Sequence, residues 1–267
     1  MKVLVTFAVE AEFAPWRDRH QFHRVSPGTA EDGTAVHVYE ARIGSEESIS
    51  TNIVWVFLTG IGWGNVKHAF RTVLSAWPAY CISSGLAGGL KDSYRKGDVI
   101  VARRTGRLGT NLWVEGHRPM VRAAVDCGAR LVESCLTADS ILATSQQKVT
   151  AGDHGDIVEM ESYHILAAAS GKKIPAYAVI RAISDTVQED LPIDFGKVAD
   201  NRGRLRYGDL IREIGRRPQR IPALIEFGLG SRRAANSLAD FLDRYVPAIQ
   251  HGTDAWSNEQ FEKVAVP

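Results

Sequence analysis

The stretch Tyr163 to Asp185 restricts the fold more than any other. An apolar, alanine-rich run, Tyr163 to Ser170, is followed by Gly171 and then by Ala176-Tyr177-Ala178-Val179-Ile180-Arg181-Ala182-Ile183. The first run reads as a buried helix that Gly171 ends. The second reads as a buried parallel strand, because it is almost continuously apolar instead of alternating. A helix feeding such a strand is a building unit of an α/β sheet. Glu161 then stands near the start of the helix, and Asp185 just past the C-terminal end of the strand, the edge at which open α/β sheets bind ligands. The plain readings are a helix-dipole charge for Glu161 and a helix cap for Asp185. Against both stand the apolar runs that flank them, since a carboxylate at the mouth of a buried element is costly to desolvate unless it is paired or used.

The rest of the chain fits the same class. Val3 to Ala8 is a short apolar run, and Glu10, Glu12 and Trp16 follow in a segment that can turn helical. Taken alone, Glu12 is a first-turn glutamate favoured by the helix dipole. Residues 35 to 42 alternate like a strand, and Asn52 to Leu58 is a second apolar run. Thr59-Gly60-Ile61-Gly62-Trp63-Gly64-Asn65 then opens a helix from Val66 to Leu74. Such a turn can bring N–H groups to an anion or a sugar hydroxyl, although most turns of this kind only connect a strand to a helix. Tyr80 to Ser83 reads as a strand entering a glycine loop, Ser84-Gly85-Leu86-Ala87-Gly88-Gly89-Leu90, and another strand starts at Val99. Arg103, Arg104 and Arg107 read as a solvated basic loop, Pro119 to Gly128 as a short helix and Ala129 to Leu136 as a strand.

Leu191-Pro192 breaks the pattern, which divides the chain into a core over 1–190 and a helical C-terminal extension over 191–267, packed on or beside it. Within the extension, 194–208 reads as loop. Asp209 to Arg216 and Ile221 to Val246 read as helices, the second interrupted near Gly228 to Gly230, and the last residues from Gly252 as fraying.

The net charge of +1 gives no global pull toward nucleic acid. Cys81, Cys127 and Cys135 have no metal-ligand spacing, their odd number argues against a disulfide framework, and Cys81 reads as a buried thiol. The N-terminus lacks a secretory signal pattern and no run reaches the length of a membrane span, so a cytoplasmic protein is expected. Only the extension is biased. Between Arg202 and Arg244 it holds ten arginines against five acids, 10 − 5 = +5. Ile221, Leu224, Ile225, Leu229, Leu238, Phe241 and Leu242 recur mostly at helical spacings beside them. The bland reading is a helix packed on the core with a solvated basic side. The sharper one is a peripheral contact with anionic lipid on the inner membrane face.

Four segments in order carry a resemblance: Ala8-Val9-Glu10-Ala11-Glu12, Ser84-Gly85-Leu86-Ala87-Gly88-Gly89, Glu159-Met160-Glu161 and Arg181-Ala182-Ile183-Ser184-Asp185. Together they resemble the methylthioadenosine/S-adenosylhomocysteine nucleosidases of the nucleoside phosphorylase superfamily. The resemblance implies a single α/β domain of that type, with a central mixed, largely parallel twisted sheet flanked by helices, and a homo-oligomer, a dimer. It implies hydrolysis of the N-glycosidic bond of a purine nucleoside, a 5′-modified adenosine, with no metal or redox cofactor. Asp185 would protonate the purine N7, oriented by Ser184, and Glu12 would activate water. Glu161 would accept from ribose hydroxyls, with Glu159 and Arg181 beside it and Met160 packed on the sugar. Ala8, Thr59, Gly60, Leu86, Ala87, Gly88, Ile141 and Leu142 would complete the substrate contacts.

The chain departs from the pattern at three places. Leu86 replaces a common polar residue, and Ile141 stands where the family stacks an aromatic on the base. The stretch between Asp98 and Asp139 is short. That short stretch, with Arg217-Pro218 and Ile221-Pro222-Ala223-Leu224, is similar to the hopanoid-associated branch, linked to removing adenine from adenosylhopane. A phosphorylase is the runner-up, disfavoured because Ala8-Val9-Glu10-Ala11-Glu12 replaces the phosphate loop and a carboxylate there repels phosphate. A non-catalytic nucleoside-binding protein remains the other class, and Glu12 with Asp185 is the feature it would not need.

Overall fold

Alternation along the first strand, β1 (Lys2–Phe7), sorts the core into two layers. Val3, Val5 and Phe7 face one side of the sheet and Leu4 the other, as the two-residue strand period requires. The structure, a computed structural model, describes residues 1–31, 33–44, 52–62, 67–192, 219 and 221–259. Helix α1 (Glu10–Arg17) follows β1, and β2 (His23–Thr29), β3 (Ala35–Ile43) and β4 (Asn52–Leu58) come next. After them come α2 (Lys67–Leu74), β5 (Tyr80–Gly89), β6 (Val99–Arg107), β7 (Trp113–Glu115) and α3 (Arg118–Asp126). The chain continues through β8 (Arg130–Thr137), α4 (Ser145–Gly152), β9 (Ile157–Glu159), α5 (Ser162–Gly171) and β10 (Ala176–Asp185) to a long helix α6 (Ile221–Glu259).

The strands form one ten-stranded mixed sheet. β10 bonds to both β5 and β6, and β6, β8, β9 and β5 follow one another, so these five close into a ring. From β5 the sheet continues as an open wing through β1, β4, β3 and β2. β4, β1, β5 and β10 run parallel, so their C-terminal ends share one edge. Helices α1, α3 and α6 pack on the Val3–Val5–Phe7 side, and α2 and α5 on the other.

The glycine stretch 84–89, expected as a loop, is strand. β10 ladders against β5 from Ala176↔Tyr80 to Asp185↔Gly88, giving the backbone groups of those glycines partners they would lack in a loop. Gly85 sits at φ +142°, a backbone conformation that other residues rarely adopt. Likewise Arg103, Arg104 and Arg107 lie on β6, not on a loop. They pair at the surface with Glu133 (3.3 and 3.5 Å) and Asp139 (2.8 Å). Strands β2 and β7 and helix α4 were not anticipated.

Helix α6 runs through Gly228 and Gly230 without interruption. Each glycine costs about 1 kcal/mol relative to alanine, less than the burial of the residues beyond them. Ala234, Leu238, Phe241, Leu242, Tyr245 and Val246 are all buried in the first core layer. Polar contacts fix the same helix. Trp16 Nε1 donates to Asp243 (2.8 Å), Asn52 Nδ2 to the Val246 carbonyl (2.9 Å) and Tyr245 Oη to the Met120 carbonyl (3.0 Å). The apolar stripe that offered a lipid reading is therefore core packing over Leu238 to Leu242, while Ile225 and Leu229 remain exposed. The loop expected at 194–208, the helix expected at 209–216 and the Trp63–Asn65 end of the glycine turn lie outside the described residues, as do the arginines from 202 to 220. Among the described residues no helix is long and apolar enough to cross a membrane. Cys81 is buried, with its thiol pushed up to about 12 by desolvation.

Candidate active site

The shared edge of β1, β4, β5 and β10 gathers most of the expected residues. β1 ends at Phe7, and the turn into α1 exposes the N–H groups of Ala8 and Val9. Glu12, on the first turn of α1, reaches back to both, at 2.9 and 3.4 Å, and its other oxygen accepts from Leu86 N–H at 3.0 Å. Its place is thus set by the helix start and by β5 together. Burial pushes the Glu12 carboxyl up, and the nearby Arg181 charge and the three N–H donors offset part of that rise.

Arg181 projects from β10 into the closed ring and is the hub of a buried network. Its Nη2 donates to Glu159 Oε2 (2.5 Å), Ser162 Oγ (2.6 Å) and Ser83 Oγ (3.1 Å). The Arg181 and Glu159 side chains are each only 2% exposed, so their charges must be satisfied internally. Glu159 meets that demand with further donors: the N–H groups of Glu161 (2.9 Å) and Ser162 (2.8 Å), the Ser162 hydroxyl (2.9 Å) and the Thr137 hydroxyl (2.5 Å). Its carboxylate is occupied by protein, so it builds the site where a direct substrate contact was expected. Gly85 is needed here, since a β-carbon on it would sit 2.7 Å from Arg181 Nη1 and 3.0 Å from Glu12 Oε2.

Glu161 stands at the N-cap position of α5, but its side chain turns away from the helix and accepts from Gly62 N–H at 2.7 Å, tying the glycine turn after β4 to the start of that helix. Gly60 and Gly62, at φ +73° and +75°, give that turn its shape. The Met160 methyl group lies near Gly62. Burial, then repulsion from Glu159, pushes the Glu161 carboxyl well up, with Arg181 and the Gly62 N–H opposing. A buried carboxyl in that condition gains from a ligand that brings hydroxyl donors or positive charge. Thr59 is buried and its hydroxyl bonds to main-chain carbonyls of Gly60 (2.9 Å) and Phe7 (3.3 Å).

Asp185 is the last residue of β10, because the strand runs two residues beyond the expected end at Ile183. Its Oδ1 accepts from Ser184 Oγ at 2.6 Å, and the same hydroxyl lies 3.2 Å from the Ala87 carbonyl. A β-carbon on Gly88 would stand 3.1 Å from Asp185 Oδ2. The carboxylate's other oxygen accepts from Lys148 Nζ, on α4. Neither Lys148 nor α4 was anticipated, although Thr144-Ser145-Gln146-Gln147 is a capping-box pattern that forms, with Thr144 Oγ1 accepting from Gln147 N–H at 3.3 Å. Ile141 and Leu142 precede α4, and Leu142 packs in a third apolar cluster with Leu90, Leu136 and Val158. Val158 touches Gly88, which brings that cluster up to the acid but not to Glu12. Among the described residues, no group of three or more His, Cys, Asp or Glu is placed to hold a metal ion.

Known proteins share both sequence and fold with this chain. Two curated relatives are 5′-methylthioadenosine/S-adenosylhomocysteine nucleosidases. The one from Shewanella loihica is 28% identical over 167 residues, covering 52% of this chain and 72% of its own. The one from an Exiguobacterium species is 24% identical over 184 residues, covering 60% and 76%. In fold the chain is similar to the Campylobacter jejuni nucleosidase of the same name, with TM-score 0.65, 14% identity and coverage of 92% of this chain and 99% of that one. It is also similar to Helicobacter pylori futalosine hydrolase, with TM-score 0.64, 15% identity and coverage of 92% and 97%. The family model described as the phosphorylase superfamily matches residues 3–206, and the chain belongs to that superfamily.

Proposed function

We propose that the protein is a purine nucleosidase that hydrolyses the N-glycosidic bond of a 5′-modified adenosine and releases adenine. One observation carries the reading. Leu86 N–H holds Glu12, while Ala87 C=O and Gly88 stand against Ser184 and Asp185. The anchor points of the two carboxylates are therefore two residues apart along β5, roughly 7 Å of extended chain. Base and acid are thus held at different positions of one strand, the division of labour that inverting glycosidases use.

In the reaction, Asp185 gives a proton to N7 as the C1′–N9 electrons pass into the base. Glu161 accepts from the ribose hydroxyls, and its negative charge stabilises the cationic sugar. Glu12 takes the proton of the water that attacks C1′. Methylthioadenosine and S-adenosylhomocysteine are the natural first substrates, because both curated relatives carry those names. Water is favoured over phosphate because Glu12, held at the turn after β1 by Ala8 N–H and Leu86 N–H, puts a carboxylate where an anion would have to bind. Incubation with methylthioadenosine, S-adenosylhomocysteine and inosine should give free adenine and a reducing sugar from the first two, at a rate independent of phosphate. A ribose 1-phosphate product formed only with phosphate would move the protein to the phosphorylases. No turnover of any nucleoside, with retained binding, would make it a nucleoside-binding protein.

The homodimer belongs to the same proposal and is tested by sedimentation. For the extension we infer packing, because Leu238, Phe241 and Leu242 are buried. The protein should not co-sediment with anionic vesicles at low salt. Salt-sensitive co-sedimentation, abolished by Ile225→Glu with Leu229→Glu, would restore the lipid reading. Truncation is unsuitable for this test, since removing α6 would strip the first core layer.

A further inference from the structure

We propose that Lys148 is the positioning residue of the acid, setting where Asp185 lies and how its carboxyl is turned toward the purine; this rests on the nucleosidase reading above. Lys148 is 1% exposed at its side chain, on a helix of otherwise mixed polarity. A buried ammonium persists only with its donors satisfied, and here all three are used. Nζ donates to Asp185 Oδ2, to the Thr186 carbonyl (3.0 Å) and to the Glu189 carbonyl (2.8 Å). The lysine therefore clamps the acid and the turn after it in one contact. α4 is held in turn at both ends: by the Thr144 cap, and at Gly152, where a β-carbon would meet the Leu90 carbonyl at 2.8 Å. Such a mount fixes the helix relative to β10, whose end carries Asp185.

The consequence is chemical. In the resting site the Asp185 oxygens are acceptors, one for the Ser184 hydroxyl and one for the Lys148 ammonium. A general acid must donate. With one oxygen tied to Ser184 and the other to Lys148, the carboxyl cannot rotate freely, so the lysine fixes the direction from which the acid meets N7. The other charges close to Asp185 are the Glu189 carboxylate, which accepts from Thr186 N–H at 2.9 Å, and Lys96, which pairs with Glu189 at 2.6 Å. Those two pair with each other, as Lys148 pairs with Asp185. From α6 the approach is backbone, with Gly230 next to the Ser184 carbonyl, and from the turn after β5 it is the Tyr94 ring near Gly89.

The test is a double-mutant cycle with Lys148→Met and Asp185→Asn, read as kcat and KM for methylthioadenosine across pH. Lys148→Met alone should lower kcat about 10–100-fold with a smaller change in KM. In the Asp185→Asn background the same substitution should cost less than about 3-fold, because a residue acting through the acid has nothing left to act on. Lys148→Arg, which keeps a cationic donor beside the acid, should recover most of the kcat lost in Lys148→Met. Equal losses in both backgrounds, or a loss that falls on KM with kcat unchanged, overturn the proposal and leave Lys148 as packing. An idle wild-type enzyme, by contrast, overturns the nucleosidase reading itself and the lysine's role with it.

Discussion

Asp185→Asn lowers kcat for methylthioadenosine by about 10²–10⁴-fold, the range expected for loss of a general acid, with KM much less affected. The separation follows from the geometry. Glu161, on the far side of the site at the Gly62 turn, is untouched by the change and still offers its acceptor to the sugar. The substituted amide has the size of the native carboxylate, so its oxygen can still accept from Lys148, whose other two bonds go to main-chain carbonyls. The variant therefore folds, and the purine binds without receiving its proton. The measurement is single-turnover kinetics, which isolates the chemical step from product release. Normal turnover by this variant would remove Asp185 from the mechanism and leave Glu12 and Glu161 as a site without an acid.

Local features of the chain were legible where the signal was local. β4 matches the apolar run Asn52 to Leu58 at both ends, and α5 and β10 follow the alanine-rich run and the strand that organised the sequence reading. What escaped depended on distant partners. The glycine stretch after Ser83 looks like a loop because nothing nearby announces that β10, almost a hundred residues on, pairs with it residue by residue. Lys148 looks like a surface lysine on a short polar segment, and its partner Asp185 is 37 positions away. The amphipathic stripe on α6 was visible, but a stripe does not say whether protein or lipid covers it. Trp16, Asn52 and Met120 do, by bonding to that helix. Glu159 shows the same limit at the site. Its type and its neighbours Met160 and Glu161 suggest a ligand contact, whereas only the folded ring brings Arg181 and Thr137 to its two oxygens.

Glu159→Ala should destabilise the protein by roughly 3–5 kcal/mol, the usual cost of breaking a buried ion pair by removing one partner. The native carboxylate accepts from Arg181, Ser162, Glu161 and Thr137. Without it the guanidinium stays buried among donors, next to Glu12, with the Ser83 and Ser162 hydroxyls as its remaining acceptors. Two effects on the site follow. Arg181 becomes free to move onto Glu12, since its Nη1 and the Glu12 oxygens border the same space over Gly85; that pairing would weaken Glu12 as a base. Glu161 loses the neighbour whose repulsion, after burial, raises its pKa, so its carboxyl ionises at lower pH. The first effect lowers kcat and the second shifts its acid limb downward, so the variant should lose activity even at temperatures where it is fully folded. Urea denaturation followed by circular dichroism gives the stability change, and kcat against pH at a temperature well below the transition gives the rest. A variant as stable as the wild type, with only KM raised, would return Glu159 to the role its sequence context suggested, a direct contact to the nucleoside.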